Sequence, residues 1–419
     1  MEEATSPAGH VVLSATCKAI ADLSTRLSIQ QTTPPFELKT YTKNTLFIEK
    51  SSSKMSQPKI WTAGFNAFQQ LSNRDGDIRE FEPLAPDLTS TDNEELEILY
   101  SGWSSTVLRC GSRIHSLGFQ NFTIESTDLR NPFGSDRHGL IGCLDSEGRV
   151  LLLHGSEADE KTILEPTGDS EAPPISNLAL AGNERVAVTF KQAPNARLTH
   201  IAEFATFDKF RKWHSDPSSA ENYPAEHHML PGRPKQLLAN GANFILLMEE
   251  GEVYTWGDPR FRTLARPISG ADAVPADKPG IVDALGGLNI ASIQCGPGVG
   301  WLASALSEDG ALYLWGTPMP GEDGVIRCLS DAGPGEVALV DIISETSAEP
   351  IDVISAAVGR NHVSVVTDDG HLFVVGDNGN GQLGLGEDRP FLEDWTRVPS
   401  LHSIRRVVAG PKATFALSG

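Results

Sequence analysis

The sequence predicts an all-β protein: a seven-bladed β-propeller closed by pairing of its N-terminal strand with its C-terminal repeat. Three observations predict it. A unit of apolar strands separated by glycine turns recurs along the chain. Seven such units can be counted. The two ends of the patterned region are complementary halves of one unit. Self-similarity at a regular interval is the mark of a repeat architecture and has to be sought before motifs.

The unit is clearest in residues 236–257 (QLLANGANFILLMEEGEVYTWG), 291–316 (ASIQCGPGVGWLASALSEDGALYLWG) and 354–376 (ISAAVGRNHVSVVTDDGHLFVVG). Each holds a strand, a glycine, a second strand, an acidic-glycine turn, a third strand and a closing glycine. The turns are Glu250-Gly251, Asp309-Gly310 and Asp369-Gly370. Such pairs between apolar runs signal hairpins, because glycine tolerates positive φ. Weaker copies are ILYSGWSSTVLRCGSRIHSLG, ending at Gly118, GLIGCLDSEGRVLLLHG, ending at Gly155, and LALAGNERVAVTF, ending at Phe190 without a closing glycine. At the front, Lys59-Ile60-Trp61-Thr62-Ala63-Gly64 is a third strand with nothing before it. At the back, 407–419 (VVAGPKATFALSG) is two strands with no third. The closing positions are then Gly64, Gly118, Gly155, about Phe190, Gly257, Gly316 and Gly376, which makes seven. A linear array would need polar caps, whereas a ring pairs strand 59–64 with the repeat built by 405–419 and leaves no edge.

Residues 1–54 stand apart. They are rich in Ser and Thr, end in Ser51-Ser52-Ser53-Lys54 and show no sustained period, so a disordered extension is expected there. Met55 directly precedes the first patterned strand. An alternative in which the natural start lies at Met55 and 1–54 is a gene-model artefact stays open at this level. The propeller is assigned to 55–419, with an inserted helix or loop at about 206–233.

The segment 374–386, VVGDNGNGQLGLG, contains G-x-G-x-x-G after an apolar run. In a dinucleotide-binding fold that fingerprint opens a helix whose N-terminus holds a pyrophosphate. Here Gly386 and Pro390 oppose a helix, and the same strand-plus-glycine recurs at Trp256-Gly257 and Trp315-Gly316. The glycines are therefore read as a tight turn leaving the third strand, with Gln382 and Leu383 anchoring the loop between blades. No cofactor is expected.

These residues also carry a family resemblance. GDNGNGQLGLG with the upstream AAVGRNHVSVVTDDGHLFVVG resembles a repeat of the regulator-of-chromosome-condensation family, which has a Gly before a His, a D-G turn, a W-G closing pair and a following G-Q-L-G. Residues 354–386 match closely. Residues 61–71, WTAGFNAFQQL, match the second half, keeping Gln70-Leu71 but with Gln69 in place of the Gly. The resemblance spans about 55–419, strongly in one repeat, moderately in three and weakly in the rest. The front segment and the overall size are also similar to fungal alpha-tubulin-suppressor-type members. The resemblance implies the seven-bladed propeller, with Gly64, Trp256, Gly257, Trp315, Gly316, His362, Gly376, Gln382, Leu383 and Gly384 as its structural signature. The founding member is a nuclear exchange factor for the small GTPase Ran and binds chromatin through a basic tail. In this chain 1–54 form no basic cluster, and the loop that wedges out nucleotide is not identified by motif. No exchange residue is carried over.

Composition limits function. Lys and Arg number 34 against 55 Asp and Glu, a net charge of −21. Such a chain repels phosphate backbones, so no direct nucleic-acid binding is expected. The cysteines Cys17, Cys110, Cys143, Cys295 and Cys328 form no C-x-x-C pair and read as reduced, buried thiols of the cytosol or nucleus. No apolar run approaches the length of a membrane span, and the N-terminus lacks the pattern of a secretion signal. His227-His228 falls in a polar stretch with no cysteine nearby and reads as a solvated loop rather than a metal site. No G-x-S-x-G elbow or metal-ligand set occurs. His362 is expected to be a structural hydrogen-bonding residue rather than a base.

One segment departs from the repeat: 198–214, LTHIAEFATFDKFRKWH. Leu198–Phe204 suits the third strand of the blade ending near Phe190. Phe204, Phe207, Phe210 and Trp213 then recur every third residue, near one face of a short helix. Lys209, Arg211, Lys212 and His214 make it locally basic. The aromatic face either packs on the propeller or docks a partner, since aromatic and Arg residues dominate interface hot spots. Phe207, Phe210, Arg211, Lys212 and Trp213 are the candidate partner-binding residues. The function expected is a non-enzymatic, monomeric protein-interaction scaffold in the cytosol, the nucleus or both. The alternative is a guanine-nucleotide exchange factor for a small GTPase.

Overall fold

A computed structural model describes residues 59–84, 96–125, 128–155, 162–166, 172–298, 300–317, 324–333, 335–344 and 348–418. All of these residues belong to one compact unit, Met55–Gly419. The extension expected over 1–54 lies outside the described residues.

Seven four-stranded antiparallel sheets make up this unit. Blade I joins both ends of the described chain: Ile404–Gly410, Ala413–Ser418, Lys59–Gly64 and Ile78–Pro83 lie in that order. The third of these strands runs antiparallel to the second from Lys59↔Ser418 to Gly64↔Ala413. Blades II to VII are simple meanders over 96–125, 130–166, 175–231, 234–281, 290–340 and 353–397. The first strands pack around the middle, and apolar side chains of neighbouring sheets interleave between blades. One such cluster brings Ile60, Ile78 and Phe415 of blade I against Leu96, Ile98 and Leu108 of blade II.

Two expectations need correction. The sequence reads as three strands per unit, but every blade has a fourth, outer strand, such as Phe391–Arg397 or the two-residue Gly280–Ile281. Outer strands carry mixed residues; FLEDWTR is largely exposed or half-buried, so it lacks the apolar run that marks the inner three. The closing position of blade IV is not Phe190. That residue ends the second strand, Val186–Phe190, and the third strand, Leu198–Phe204, closes at Phe204 opposite Val186.

The closing glycines share one physical reason. Gly64, Gly118, Gly257, Gly316 and Gly376 all have φ between +94° and +128°. A Cβ on Gly376 would lie 2.3 Å from the carbonyl oxygen of Asn361, and one on Gly316 would lie 2.1 Å from that of Trp301. Only glycine lets the third strand end this close to the loop entering the second strand.

The candidate interaction face

In an antiparallel meander the loops after the first and third strands emerge at one end of the blade, and the acidic-glycine turns emerge at the other. The first end collects the long connections, and sequence explains how they are held. In blade VII, Asn378 Oδ1 accepts from the Leu383 amide at 3.1 Å, and its Nδ2 donates to the Glu387 and Arg389 carbonyls. Asn66 performs the same task in blade I, accepting from Leu71 and Ser72. Leu71 and Leu383 are fully buried. Gln70 Nε2 donates to the Phe65 and Trp103 carbonyls, the latter in blade II. The Gln382 carbonyl accepts from Thr414 Oγ1 of blade I at 2.7 Å.

The glycine-rich run folds as turns laid against the outer strand of blade I. A Cβ on Gly381 would meet the Arg79 backbone at 2.6 Å, and one on Gly384 the Phe81 ring at 2.3 Å. The Gly386 amide donates to the Arg79 carbonyl. The spacing that imitates a phosphate loop is thus a requirement of close packing between two blades.

The other signature residues stitch blades together. Trp256 is buried, and its Nε1–H donates to Glu203 Oε1 of blade IV at 2.6 Å. Trp315 donates to the Thr263 carbonyl of blade V at 3.0 Å. Glu203 is itself buried and also accepts from Arg185 and, at 2.8 Å, from His228 Nε2. His362 is fully buried, and burial lowers its pKa to about 4, so the ring is neutral. A Cβ on Gly359 would lie 2.0 Å from His362 Cε1, which is why a glycine precedes this histidine.

Among the candidate binding residues, the helix Phe207–Ser215 is capped by Thr206, whose hydroxyl accepts from the Lys209 amide. Phe210 and Trp213 are buried, and they pack on Phe204 with ring centroids 5.4 and 5.1 Å away. Both belong to the core between blades III and IV, along with Val150, Leu178 and Val188. Burial removes Phe210 and Trp213 from any surface a partner could reach, which corrects their assignment. Arg211 and Lys212 are exposed and both contact Asp208, at 3.2 and 2.8 Å. Lys212, with a smaller effect from Arg211, holds the Asp208 carboxyl below its ordinary pKa. Phe207 is half-buried, 5.8 Å from Phe133, and forms one wall of a 540 Å³ groove with Phe119, His138 and Leu153.

Phe119 belongs to a patch that sequence reasoning missed. It is 77% exposed, and its amide donates to the Ser104 carbonyl beside Trp103. Trp103 packs on Phe65 at 5.3 Å, and Phe65 on the 41%-exposed Phe68 at 6.2 Å. Arg360 lies over the Trp103 ring at 5.8 Å and the Lys412 ammonium at 6.0 Å. These residues come from blades I, II and VII, so no local spacing announces them. The only signal available was an aromatic residue in a turn, Gly102-Trp103.

A second cavity, of 380 Å³, opens between the first strands. Its polar lining is bonded from blade to blade: Asn131 Nδ2 donates to the Ser176 carbonyl, and Gln236 exchanges two hydrogen bonds with the Ile293 backbone. Cys295 donates to the Ala239 carbonyl, and burial raises its thiol to about 12.

Residues 353–382 match the regulator of chromosome condensation (RCC1) repeat. The human E3 ubiquitin-protein ligase HERC2 is 29% identical over 286 residues, 66% of this chain and 6% of that protein. The mouse RCC1 domain-containing protein 1 is 28% identical over 215 residues, 44% of this chain and 55% of its own length. The chain thus aligns with a small part of the first relative and about half of the second. In structure it superposes on yeast (Saccharomyces cerevisiae) Prp20p with a TM-score of 0.55 at 14% identity, over 86% of this chain and 92% of that one. Human WBSCR16 gives 0.54 at 14% identity, over 86% and 100%. Residues 353–382 thus carry an RCC1 repeat, and the chain as a whole is similar to proteins with such repeats and folds as a seven-bladed propeller.

Proposed function

We propose that this propeller is a non-enzymatic scaffold that binds a protein partner through the loop face carrying Phe68, Trp103 and Phe119. One observation carries this reading: two exposed phenylalanines flank a tryptophan overlain by two cations, on a rigid end of the ring. Aromatic and cationic side chains of this kind supply most hot-spot energy at interfaces. Phe207 extends the same surface across the groove. The net charge of −21 supports a protein partner over nucleic acid. The cysteines Cys143, Cys295 and Cys328, none of them in a disulfide among the described residues, support a reducing compartment, cytosol or nucleus.

The test compares wild-type protein with a Phe68→Ala, Phe119→Ala double variant in cross-linking and affinity purification. Loss of specific partners at unchanged melting temperature is the expected result. Retention of every partner would overturn the assignment of this face.

Guanine-nucleotide exchange is the second reading. The likeness to Prp20p, studied for its binding to Gsp1p and histones, favours it at the level of fold. Release of labelled GDP from purified small GTPases separates the two. No acceleration by the propeller retains the scaffold reading, and acceleration replaces it.

A further inference from the structure

The inserted helix makes a locally basic surface on an acidic protein. Lys209, Arg211 and Lys212 share it with one carboxylate, Asp208. Arg211 stands one turn on from Phe207, on the same helical face, and Phe207 walls the groove that Phe119 borders. Arg137 is exposed and directly precedes His138 of the groove lining. Asp136, the acid beside it, turns instead into the cavity between the first strands, where a Cβ on Gly298 would lie 2.2 Å from its Oδ2. No acidic side chain is among the described residues that line the groove.

The floor of the groove is apolar and preformed. Phe122 and Leu140 are buried in the core between blades II and III, with Leu153 packed against them. Gln120 ties the two banks together: its Oε1 accepts from the Leu140 amide at 2.9 Å, and its Nε2 donates to the His138 and Leu140 carbonyls at 3.0 Å. Asn121 is exposed beside it, and a carboxamide can bond both the N–H and the C=O of an extended chain. The histidines that follow the helix are committed elsewhere. His227 and His228, expected in a solvated loop, lie on the strand Glu226–Pro231. His228 Nε2 bonds Glu203, and His227 Nδ1 lies 2.8 Å from His200 Nε2.

We propose that this groove binds an acidic peptide segment of the partner. One large apolar side chain sits between Phe119 and Phe207, and carboxylates flanking it meet Arg137 and Arg211. The proposal rests on the reading of the loop face as the partner surface and names what that face recognises. A concavity of 540 Å³ is in the range of ligand pockets, so it suits a side-chain anchor on an extended segment rather than a flat domain face. The sign of the local charge selects the segment. A body of net charge −21 repels acidic chains, and a cationic rim reverses that repulsion at the groove alone, which steers such a segment there.

The experiment pans a random dodecapeptide library, displayed on phage, against the intact chain. Enriched peptides are then labelled with fluorescein and titrated by anisotropy. They should share a Leu, Phe or Trp flanked by Asp and Glu. Arg137→Glu with Arg211→Glu should weaken them by about tenfold or more, because like charges then face each other across the interface. Both residues are exposed, so this variant should melt with the wild type. Phe207→Ala should weaken binding by a similar factor, and about 0.5 M sodium chloride should weaken the wild type. Phe68→Ala lies outside the groove and should leave peptide binding within about threefold. The proposal is overturned by no enrichment over the unpanned library, by enrichment of basic or uncharged peptides, or by a charge-reversed variant that binds within about threefold of the wild type. Dimerisation of the unliganded chain that the charge reversal abolishes would also overturn it, by assigning the groove to a second copy. These failures are separate from failure of the loop-face reading: loss of partners from the Phe68→Ala, Phe119→Ala variant would keep that face even if no acidic peptide is enriched.

Discussion

Replacing Gly376 by alanine tests the reason for the repeat. The backbone there has φ +104°, and an added Cβ would lie 2.3 Å from the Asn361 carbonyl oxygen and 2.8 Å from His362 Cα. Two costs follow. Holding alanine at positive φ costs about 1–2 kcal/mol. Relieving a contact more than about 1 Å too short against backbone costs about 1–3 kcal/mol more, the range for overpacking. Gly287 separates the two costs, because its φ is +79° and nothing lies within 4 Å of the added Cβ. Gly287→Ala should therefore show the conformational cost alone, about 1–2 kcal/mol, and Gly376→Ala about 2–5 kcal/mol. Denaturant midpoints give both values. Amide exchange should localise the Gly376 effect to the strands His362–Thr367 and Leu372–Asp377. Equal destabilisation by the two variants would show that the closing glycine serves φ only, and the close-approach argument would fail.

Three more outcomes are expected. Ile60→Ala should cost about 2–5 kcal/mol, because the side chain is buried where the N-terminal strand meets blade II, and deletion through residue 66 should remove cooperative unfolding; equal melting of the deleted and intact chains would sink the ring-closure argument. Trp213→Ala should lower the melting temperature with a cost of about 3–5 kcal/mol, whereas Arg211→Glu with Lys212→Glu should change stability by under about 1 kcal/mol, as exposed pairs do; a stable Trp213→Ala protein would contradict the burial described. Burial lowers His214 and His362 from 6.5 to about 4, so between those values the unfolded chain binds protons that the folded chain refuses. Stability should fall as pH drops through that window, by up to about 3 kcal/mol per ring, and His362→Gln should flatten the slope in pH-dependent denaturation; an unchanged slope would refute it.

Most of the inner strands were legible because burial on both faces demands apolar runs and the turn between the second and third demands glycine at positive φ, as at Gly251, Gly310 and Gly370; the first strand of blade III, Arg130–Ser135, is mostly half-buried and was missed. The outer strands were not legible, since a strand like Glu226–Pro231 has one neighbour and little burial to pattern it. The aromatic spacing at Phe207, Phe210 and Trp213 announced a helix face but not what covers it. Periodicity states that a stripe exists; only the tertiary fold shows that Phe204 and the core of blades III and IV cover it. The Trp103 patch and the His200–His227 pair were beyond reach for a related reason. Their members are brought together by strand register and ring closure, so no local interval encodes them.

Blade IV shows that two apparent irregularities are one event. In blades I, II, V, VI and VII a glycine ends the third strand and the chain turns tightly over a carbonyl of the preceding loop. Here Phe204 takes that place, and it is not among the described residues with positive φ. The tight turn is unavailable to it, so the chain leaves by another route: Thr206 caps a helix, and Asp208 sits in its first turn where the helix dipole favours an anion. The phenylalanine that prevents the turn also supplies the apolar floor on which Phe210 and Trp213 rest. One residue earlier, Glu203 points the other way and holds Trp256 of blade V. Strand alternation thus lets consecutive residues join blade IV to its two neighbours by different means, one through aromatic packing and one through a buried carboxylate. Restoring glycine at 204 would open the turn but remove that floor, so the missing glycine and the inserted helix depend on each other.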